Sequence, residues 1–405
     1  MVDVASSPPE SASAECRALL SAITDLQPVI RGHQDEIERE RHIPEALVEQ
    51  LRAAGAYRIF IPRELGGLEA DPLTYLRAIE LAAEADGSTG WNICNNGIGQ
   101  LIAMSLPAEG IDEIFAGGPD TIIAGTAVPG GGKGVPVDGG YRVSGRWRFG
   151  SGCQEARWMV ANFQIFDGDE PQRNPDGSPA YWRCYFPASE TTVIDTWDMI
   201  GQRGTGSHDW SVTDVFVPER RTVKLVAFVL TNQWSCRSGA LYQVPAHAIV
   251  GPHHSAVATG IARRGIEELT ELAGSKVPRA RTGLLREREL VQDAVGRAEA
   301  ILGAARAYRA AMVGEVWETV LAGRTTTPEQ RARCRLAASY AGDSARQAMD
   351  LMYRAGGTTS SQREHPLARC WRDLQTVTQA VAVMPEWYSL AGRIFLGLEP
   401  NPRLA

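Results

Sequence analysis

The sequence contains no Cys-x-x-Cys pair. Its seven cysteines, Cys16, Cys94, Cys153, Cys184, Cys236, Cys334 and Cys370, are scattered and odd in number. That argues against a disulfide framework or a structural zinc centre and points to a reducing, cytoplasmic setting. Histidines are few, seven in all, and none stands at metal-ligand spacing with a nearby carboxylate, so no metal is expected. No apolar run approaches membrane-spanning length, so no membrane partner is expected. Positive charge is not in excess: 41 Lys and Arg against 48 Asp and Glu leave a net charge of −7, which argues against a nucleic-acid partner. The first residues lack the basic start and apolar run of a signal peptide. Rich in Ser, Ala and Pro, residues 1–13 read as a flexible tail.

What is present is length and hydrophobic mass. A chain of 405 residues, 44% hydrophobic, exceeds what one core usually serves, so two or three subdomains are expected. Apolar residues recur at helical spacing from Ala14 to Gly55, with a second helix begun near Pro44. Asp71 caps a helix with Pro72 at its first position, and a further helix starts at Asp86. From about Thr121 the texture turns strand-like, and Gly130 to Gly134 reads as a hairpin tip rather than a phosphate loop. The stretch from Arg221 to Ala246, with Trp234, Cys236 and Tyr242, is not decisive. From His247 long helices run to the end, broken at Gly356-Gly357. The fold class is therefore α+β, mainly α. A helical domain spans 14–119, a β-domain 120–222 and a helical domain 223–405.

The stretch Tyr141 to Cys153 is the most informative. Val143, Trp147 and Phe149 recur at even spacing with Arg146 and Arg148 opposite them, which predicts a strand with one apolar face. The strand breaks at Gly150-Ser151-Gly152, where missing side chains let a ligand approach the backbone. An aromatic face, exposed N–H groups and the Ser151 hydroxyl could hold a flat, polar-edged ring. The same residues also suit an ordinary amphipathic strand ending in a turn. In the helix after Asp86, Asn92, Asn95 and Asn96 form a polar cluster. They are either a solvated face or buried amides that need a cofactor or substrate as partner.

Trp147-x-Phe149-x-Ser151-Gly152 followed by Ala156-x-Trp158 resembles the flavin-contacting strand of the acyl-CoA dehydrogenase fold, in particular its group D two-component flavin monooxygenases. Pro62-x-x-x-Gly66-Gly67, Asp86-x-Ser88-x-x-Trp91 and the Gly201 to Asp209 phrase before Val217-Pro218 resemble the same family. So do the Gly356-Gly357 break, Pro366-Leu-x-Arg369-x-x-Arg372-Asp373, and Gly392 to Pro400. The resemblance implies a central β-barrel-like domain, a C-terminal four-helix bundle and a homotetramer. It implies reduced FAD or FMN supplied by a partner flavin reductase, and O2 activated as a C4a-hydroperoxide to oxygenate a small aromatic or amine-bearing metabolite. Trp147, Phe149, Ser151 and Gly152 would meet the flavin with Thr205 and Ser207 nearby, Ser151 acting as a donor. Gly356, Gly357 and Thr358 would come from the neighbouring subunit. Arg279 or Arg281 would take the flavin phosphate, a planar cation being suited to it. Asn92, Asn95, Asn96 and Gln379 would face the substrate.

Two departures bear on chemistry. Eight residues after Asp373, where many acyl-CoA dehydrogenases carry their glutamate base, stands Val381, and no carboxylate lies between Leu374 and Pro385. One residue earlier, where many monooxygenases carry a histidine, stands Ala380. His253 and His254, and also His208, are candidates to replace it, since histidine titrates near neutrality; His365 reads as a helix cap. An acyl-CoA dehydrogenase-like oxidoreductase and a non-catalytic binding member of the family are the alternatives.

Overall fold

The computed structural model describes residues 13–126, 130–168, 170–175, 177–225 and 239–400. The expected tail up to residue 12, together with Trp234 and Cys236, lies outside them. Three helices open the chain: α1 (Ala14–Gly32), α2 (Gln34–Glu40) and α3 (Glu45–Ala53). The Ser13 hydroxyl caps α1 by accepting from Cys16 N, and Leu19, Leu20, Ile23 and Ile30 fill its buried face. Pro28 lies inside α1 without ending it. The expected helix from Ala14 is instead divided at His33 and at Arg41, whose φ is +60°.

Two caps set the next pair. Asp71 Oδ1 accepts from Leu73 N and Thr74 N at the start of α4 (Pro72–Ala85). Asp86 accepts from Thr89 N at the start of α5 (Gly87–Ala103). The two helices approach closely because Gly97 lacks a side chain: a Cβ there would lie 2.1 Å from the Tyr75 hydroxyl. Helix α6 (Ala108–Phe115) leads into the sheet.

The strands are β1 (Ile123–Gly125), β2 (Gly132–Val137), β3 (Gly140–Gly150), β4 (Trp158–Asp167), β5 (Glu170–Pro171), β6 (Tyr181–Pro187), β7 (Thr192–Ile194), β8 (His208–Pro218) and β9 (Thr222–Lys224). They form one mixed sheet in the order β7-β8-β3-β2-β4-β6-β9, with β1 and β5 also on β4. Among the described residues β7 and β9 do not pair, so the sheet stays open and the expected barrel does not close. The hairpin tip is corrected too. Gly132 to Gly134 already belong to β2 and pair with Val143 to Gly145, and the turn joining β2 to β3 falls at Asp138-Gly139. Gly134 belongs in the strand because Phe163 occupies the space its Cβ would take, 2.3 Å away.

After the sheet come α7 (Ala246–Ser275), α8 (Glu289–Leu321), α9 (Pro328–Gly356), α10 (Pro366–Val377) and α11 (Glu386–Phe395). Helix α7 packs against α4, α8, α9 and α10. A single hydrophobic core therefore runs from Cys16 in the first helix to Val377 in α10, while a second, built on Val143, Trp147, Phe163, Phe186 and Trp210, fills the sheet. The helical ends of the chain thus grip α7 together, and the sheet leans on α5.

Candidate active site

Strand β3 ends in a corner that its neighbours hold rigid. Register shifts interrupt its pairing with β8 between Trp147 and Gly150. Phe149 takes φ +66° there and Gly152 φ +74°, a conformation glycine adopts without strain. The three corner N–H groups are all used internally. Ser151 N donates to Phe149 O, Gly152 N to Thr205 O at 2.8 Å, and Cys153 N to Gly150 O. The expectation that exposed N–H groups would bind a ring edge is corrected accordingly: this corner has spent its backbone donors.

Its side chains form a chain of hydrogen bonds. Trp91 Nε1 on α5 donates to Ser151 Oγ at 3.0 Å. Ser151 Oγ and Ser207 Oγ lie 2.7 Å apart, as do Ser207 Oγ and Thr205 Oγ1. Thr205 Oγ1 donates to Gln202 O at 2.9 Å. Beside Gly152 sits Asn92, whose amide is 3.7 Å from where a Gly152 Cβ would be. Among the described residues the buried Asn92 Oδ1 has no hydrogen-bond partner. His254 on α7 meets the Trp91 ring edge-on, centroids 4.9 Å apart.

The segment that carries Thr205 is anchored from below. Gln202 N donates to Asp373 Oδ1 at 2.6 Å. Two small cavities beside this bond share a lining of Gln34, Asp86, Arg369 and Asp373. Burial, with Asp86 adding repulsion, pushes the Asp373 carboxyl up to about 7, and the Gln202 N–H works against that rise. Asp86 is raised as well, chiefly by burial.

Of the residues expected at a cofactor, Ser151, Gly152, Thr205 and Ser207 come together. Trp147 does not join them: its indole is 2% exposed, stacks on Trp210 at 4.6 Å and donates to Asn162 O, so it belongs to the sheet's core. Phe149 does the reverse. It was expected on the apolar face with Trp147, but the irregular pairing turns it outward, and it is 54% exposed.

The asparagines divide. Asn92 faces the corner, and half-buried Asn95 donates to Trp91 O. Asn96 Oδ1 accepts from Ile123 N and ties α5 to β1. Gln379 is exposed beyond the end of α10.

The adjacent histidines also separate. His253 is fully buried against Phe60 and Tyr75. Its ring nitrogens face Ile249 O and Pro72 O, so it has no open atom for a substrate. Burial outweighs those carbonyls and pushes its pKa down to about 3. Burial likewise takes His254 down to about 4, its Nδ1 facing Val250 O. His208 Nδ1 accepts from Thr196 N and Trp197 N, and His365 caps α10.

Arg279 and Arg281 are exposed on the loop after α7. In that segment Lys276 Nζ donates to Gly356 O and to Thr359 Oγ1, each at 2.7 Å. This gathers the loop with Gly356, Gly357 and Thr358, roughly 30 Å along α7 from His254 at 1.5 Å per residue. Within one chain that cluster and the corner are separate places. The sequence reading did not place Trp91, Gln202 or Asp373 in the site. All three did stand within phrases that resembled the family.

The sequence model of the acyl-CoA dehydrogenase N-terminal domain matches residues 14–107, and that of the C-terminal domain matches 253–385. Over 385 residues the chain is 33% identical to an indole-3-acetate monooxygenase of Pseudomonas putida, covering 95% of this chain and 94% of that one. The chain belongs to the acyl-CoA dehydrogenase family, in its flavin-dependent monooxygenase branch. It is 29% identical to the flavin-dependent monooxygenase oxygenase subunit HsaA of Mycobacterium tuberculosis, across 96% of this chain and 97% of that one. Its fold matches the crystal structure of 3-HSA hydroxylase from Rhodococcus sp. RHA1 with a TM-score of 0.87 at 26% identity, covering 96% and 99% of the two chains.

The residues of this family member fit a flavin. The orphaned Asn92 oxygen and the remaining hydrogen-bonding position of the Ser151 hydroxyl offer polar contacts to a ring edge. The exposed Phe149 ring offers an apolar face.

Proposed function

We propose that this chain is the oxygenase component of a two-component flavin-dependent monooxygenase. It receives reduced FAD or FMN from a partner flavin reductase and oxygenates a small aromatic or amine-bearing metabolite, with an indole-like ring the first to try. One observation carries the reading. The chain aligns with a monooxygenase over 95% of its length, while the position of the dehydrogenase base is Val381, 56% exposed, with no carboxylate from Leu374 to Pro385.

In this reading Ser151, Gly152 and Asn92 hold the polar edge of the flavin and Phe149 covers part of its face. Bound there, reduced flavin would supply the two electrons with which O2 gives one oxygen atom to the substrate and one to water. The chain's own residues orient and enclose. Trp91 fixes Ser151, and the Asp373 carboxyl holds the backbone that carries Thr205. His254, neutral at ordinary pH, closes the far side of Trp91 as an uncharged wall, which keeps the site dry. Asn95 belongs to the substrate side.

The reading extends to a homotetramer of 14–119, 120–222 and 223–405 units with a C-terminal four-helix bundle. There Gly356, Gly357 and Thr358, with Arg279 or Arg281, reach the flavin of a neighbouring copy.

The test is turnover with a flavin reductase, NADH, FAD or FMN, and a panel of indoles, phenols and arylamines. Mass spectrometry of a product gaining one oxygen atom from labelled O2 supports the reading. Reduction of bound FAD by an acyl-CoA thioester, with no oxygenated product, would replace it by the dehydrogenase alternative.

A further inference from the structure

Two buried acids hold the two halves of the corner from below. Gln202 has φ +54°, which is uncommon for a residue with a side chain and needs support from its surroundings. Asp373 supplies it, accepting from Gln202 N at 2.6 Å. The Gln202 carbonyl in turn accepts from Thr205 N, Thr205 Oγ1 and Trp197 Nε1. Thr205 continues to Ser207, and Trp197 meets the Phe149 ring edge-on. On the other side Asp86 caps α5, the helix that carries Trp91 and Asn92. Asp373 and Asp86 are 7% and 4% exposed, and both line the two cavities beneath the corner.

Among the described residues no arginine is hydrogen-bonded to either acid, because those nearby are engaged elsewhere. On α10, Arg369 donates from Nη1 to Gln34, from Nη2 to Asp35 and from Nε to Glu38. It acts on Asp86 and Asp373 only at longer range. Arg372 turns to Glu38, Ile200 O and Arg363 O. From α7, Arg264 pairs with Glu267 and Glu268. After Gln202, Arg203 pairs with Asp198. The other titratable groups lining the cavities, Glu38 and the Cys370 thiol, would only add negative charge. A carboxylate at Asp373 would gain from the Gln202 N–H but lose more from burial and from Asp86, which is why its pKa stands at about 7.

We propose that Asp373 and Asp86 are positioning residues that clamp the candidate site in a pH-dependent way. While Asp373 carries a proton, the clamp holds the 201–207 segment in place beside α5. Ionised next to Asp86, Asp373 pushes the segment away and loosens the hydroxyl chain and the Phe149 wall together. The consequence for flavin rests on the reading above. In an opened, hydrated segment the carboxyl returns to the ordinary aspartate value of about 4. Closure is therefore favoured most below about pH 4, weakens as pH rises through the window and is weakest above about pH 7.

The first readout is hydrogen exchange of the 201–207 segment in the full chain, followed by mass spectrometry at about pH 5 and about pH 8 and corrected for intrinsic rates. Wild type should lose protection about tenfold or more between the two. Asp373→Asn keeps an uncharged acceptor for Gln202 N, so its protection should be the same at both. Asp86→Asn keeps the helix cap and should shrink the wild-type difference. Asp373→Ala removes the acceptor and should lower protection at both pH values. The second readout is anaerobic binding of reduced FAD, compared between variants at one pH so that the titration of the flavin itself cancels. At about pH 8 Asp373→Asn should bind about threefold or more tightly than wild type, and at about pH 5 equally.

A pH-dependent loss of protection as large in Asp373→Asn as in wild type would overturn the proposal, as would full protection of the segment in Asp373→Ala. Equal binding of reduced FAD by wild type and Asp373→Asn at about pH 8 would overturn it too. Failure of every form to bind FAD would instead remove the flavin reading, and the exchange ratios would then decide the clamp alone.

Discussion

Two buried polar clusters in this molecule behave in opposite ways. Where α4 meets α7 and α8, Glu80 is 2% exposed. It faces Arg77, Arg306 and Arg309 at 3.0–3.3 Å and accepts from Thr259 at 2.5 Å. Burial disfavours its charge, but Arg306, Arg309 and Arg77 outweigh burial and hold its pKa down at about 2. At the corner the Asn92 oxygen has no partner among the described residues, and the Ser151 hydroxyl keeps one hydrogen-bonding position open. The first cluster pairs opposite charges and joins three helices; the second, among the described residues, carries no buried ion pair and stands at the end of a strand. In this chain the charged cluster is a joint and the neutral one is the candidate site.

Breaking the joint should have the largest effect on stability. Glu80→Gln leaves buried arginines without their counter-charge, and such a loss typically costs about 3–5 kcal/mol. Urea unfolding at pH 7 should show a drop of that order, and a loss under about 1 kcal/mol would mean that the cluster behaves like a surface pair. Because the folded pKa is depressed, this contribution is present above the ordinary glutamate range and disappears as pH falls through about 2.

A smaller effect, of opposite sign in pH, is expected at Asp373, the anchor beneath the corner. Its folded pKa of about 7 lies above the ordinary aspartate value, so between about pH 4 and 7 the folded chain holds a proton that the unfolded chain has lost. Stability should fall as pH rises through that window. Asp373→Asn keeps an acceptor for Gln202 N and removes the titration. It should raise stability by roughly 1–3 kcal/mol at pH 8 and change it little at pH 4. Equal shifts at both pH values would show that the titration of Asp373 is not responsible.

The smallest stability effect belongs to Phe149. Exposed as it is, Phe149→Ala should leave unfolding unchanged within about 0.5 kcal/mol. Reduced-flavin binding should weaken about fivefold, roughly 1 kcal/mol. A substitution that shifts unfolding but not flavin binding would reverse the assignment and make Phe149 part of the joint.

The same contrast explains what could be read from the sequence. Caps are local, so Asp71 with Pro72, Asp86 and His365 stand where the residue types indicate. The two Gly-rich corners could be singled out separately because each resembles one family, and the fold brings them within a hydrogen bond at Ser151 and Ser207. What the sequence hides depends on distant partners. Phe149 leaves the face of Trp147 because pairing with β8 shifts register, and no period along β3 encodes that. His253 and His254 are neighbours in sequence, yet one turns into the core beside Tyr75 and the other towards Trp91. The partners of Ser151 come from an indole on α5 and a hydroxyl from the segment before β8, and no spacing along β3 encodes either. The open sheet has the same origin, since closure depends on whether β7 meets β9.

The most direct measurement of the account is stopped-flow mixing of the chain, loaded anaerobically with reduced FAD or FMN, with oxygenated buffer, with and without the indole, phenol and arylamine panel. The account predicts a flavin absorbance unlike the free reduced or oxidised forms, outlasting free-flavin reoxidation, and an oxygenated aromatic product. Reoxidation at the rate of free flavin in every mixture, with hydrogen peroxide as the sole product, would contradict it.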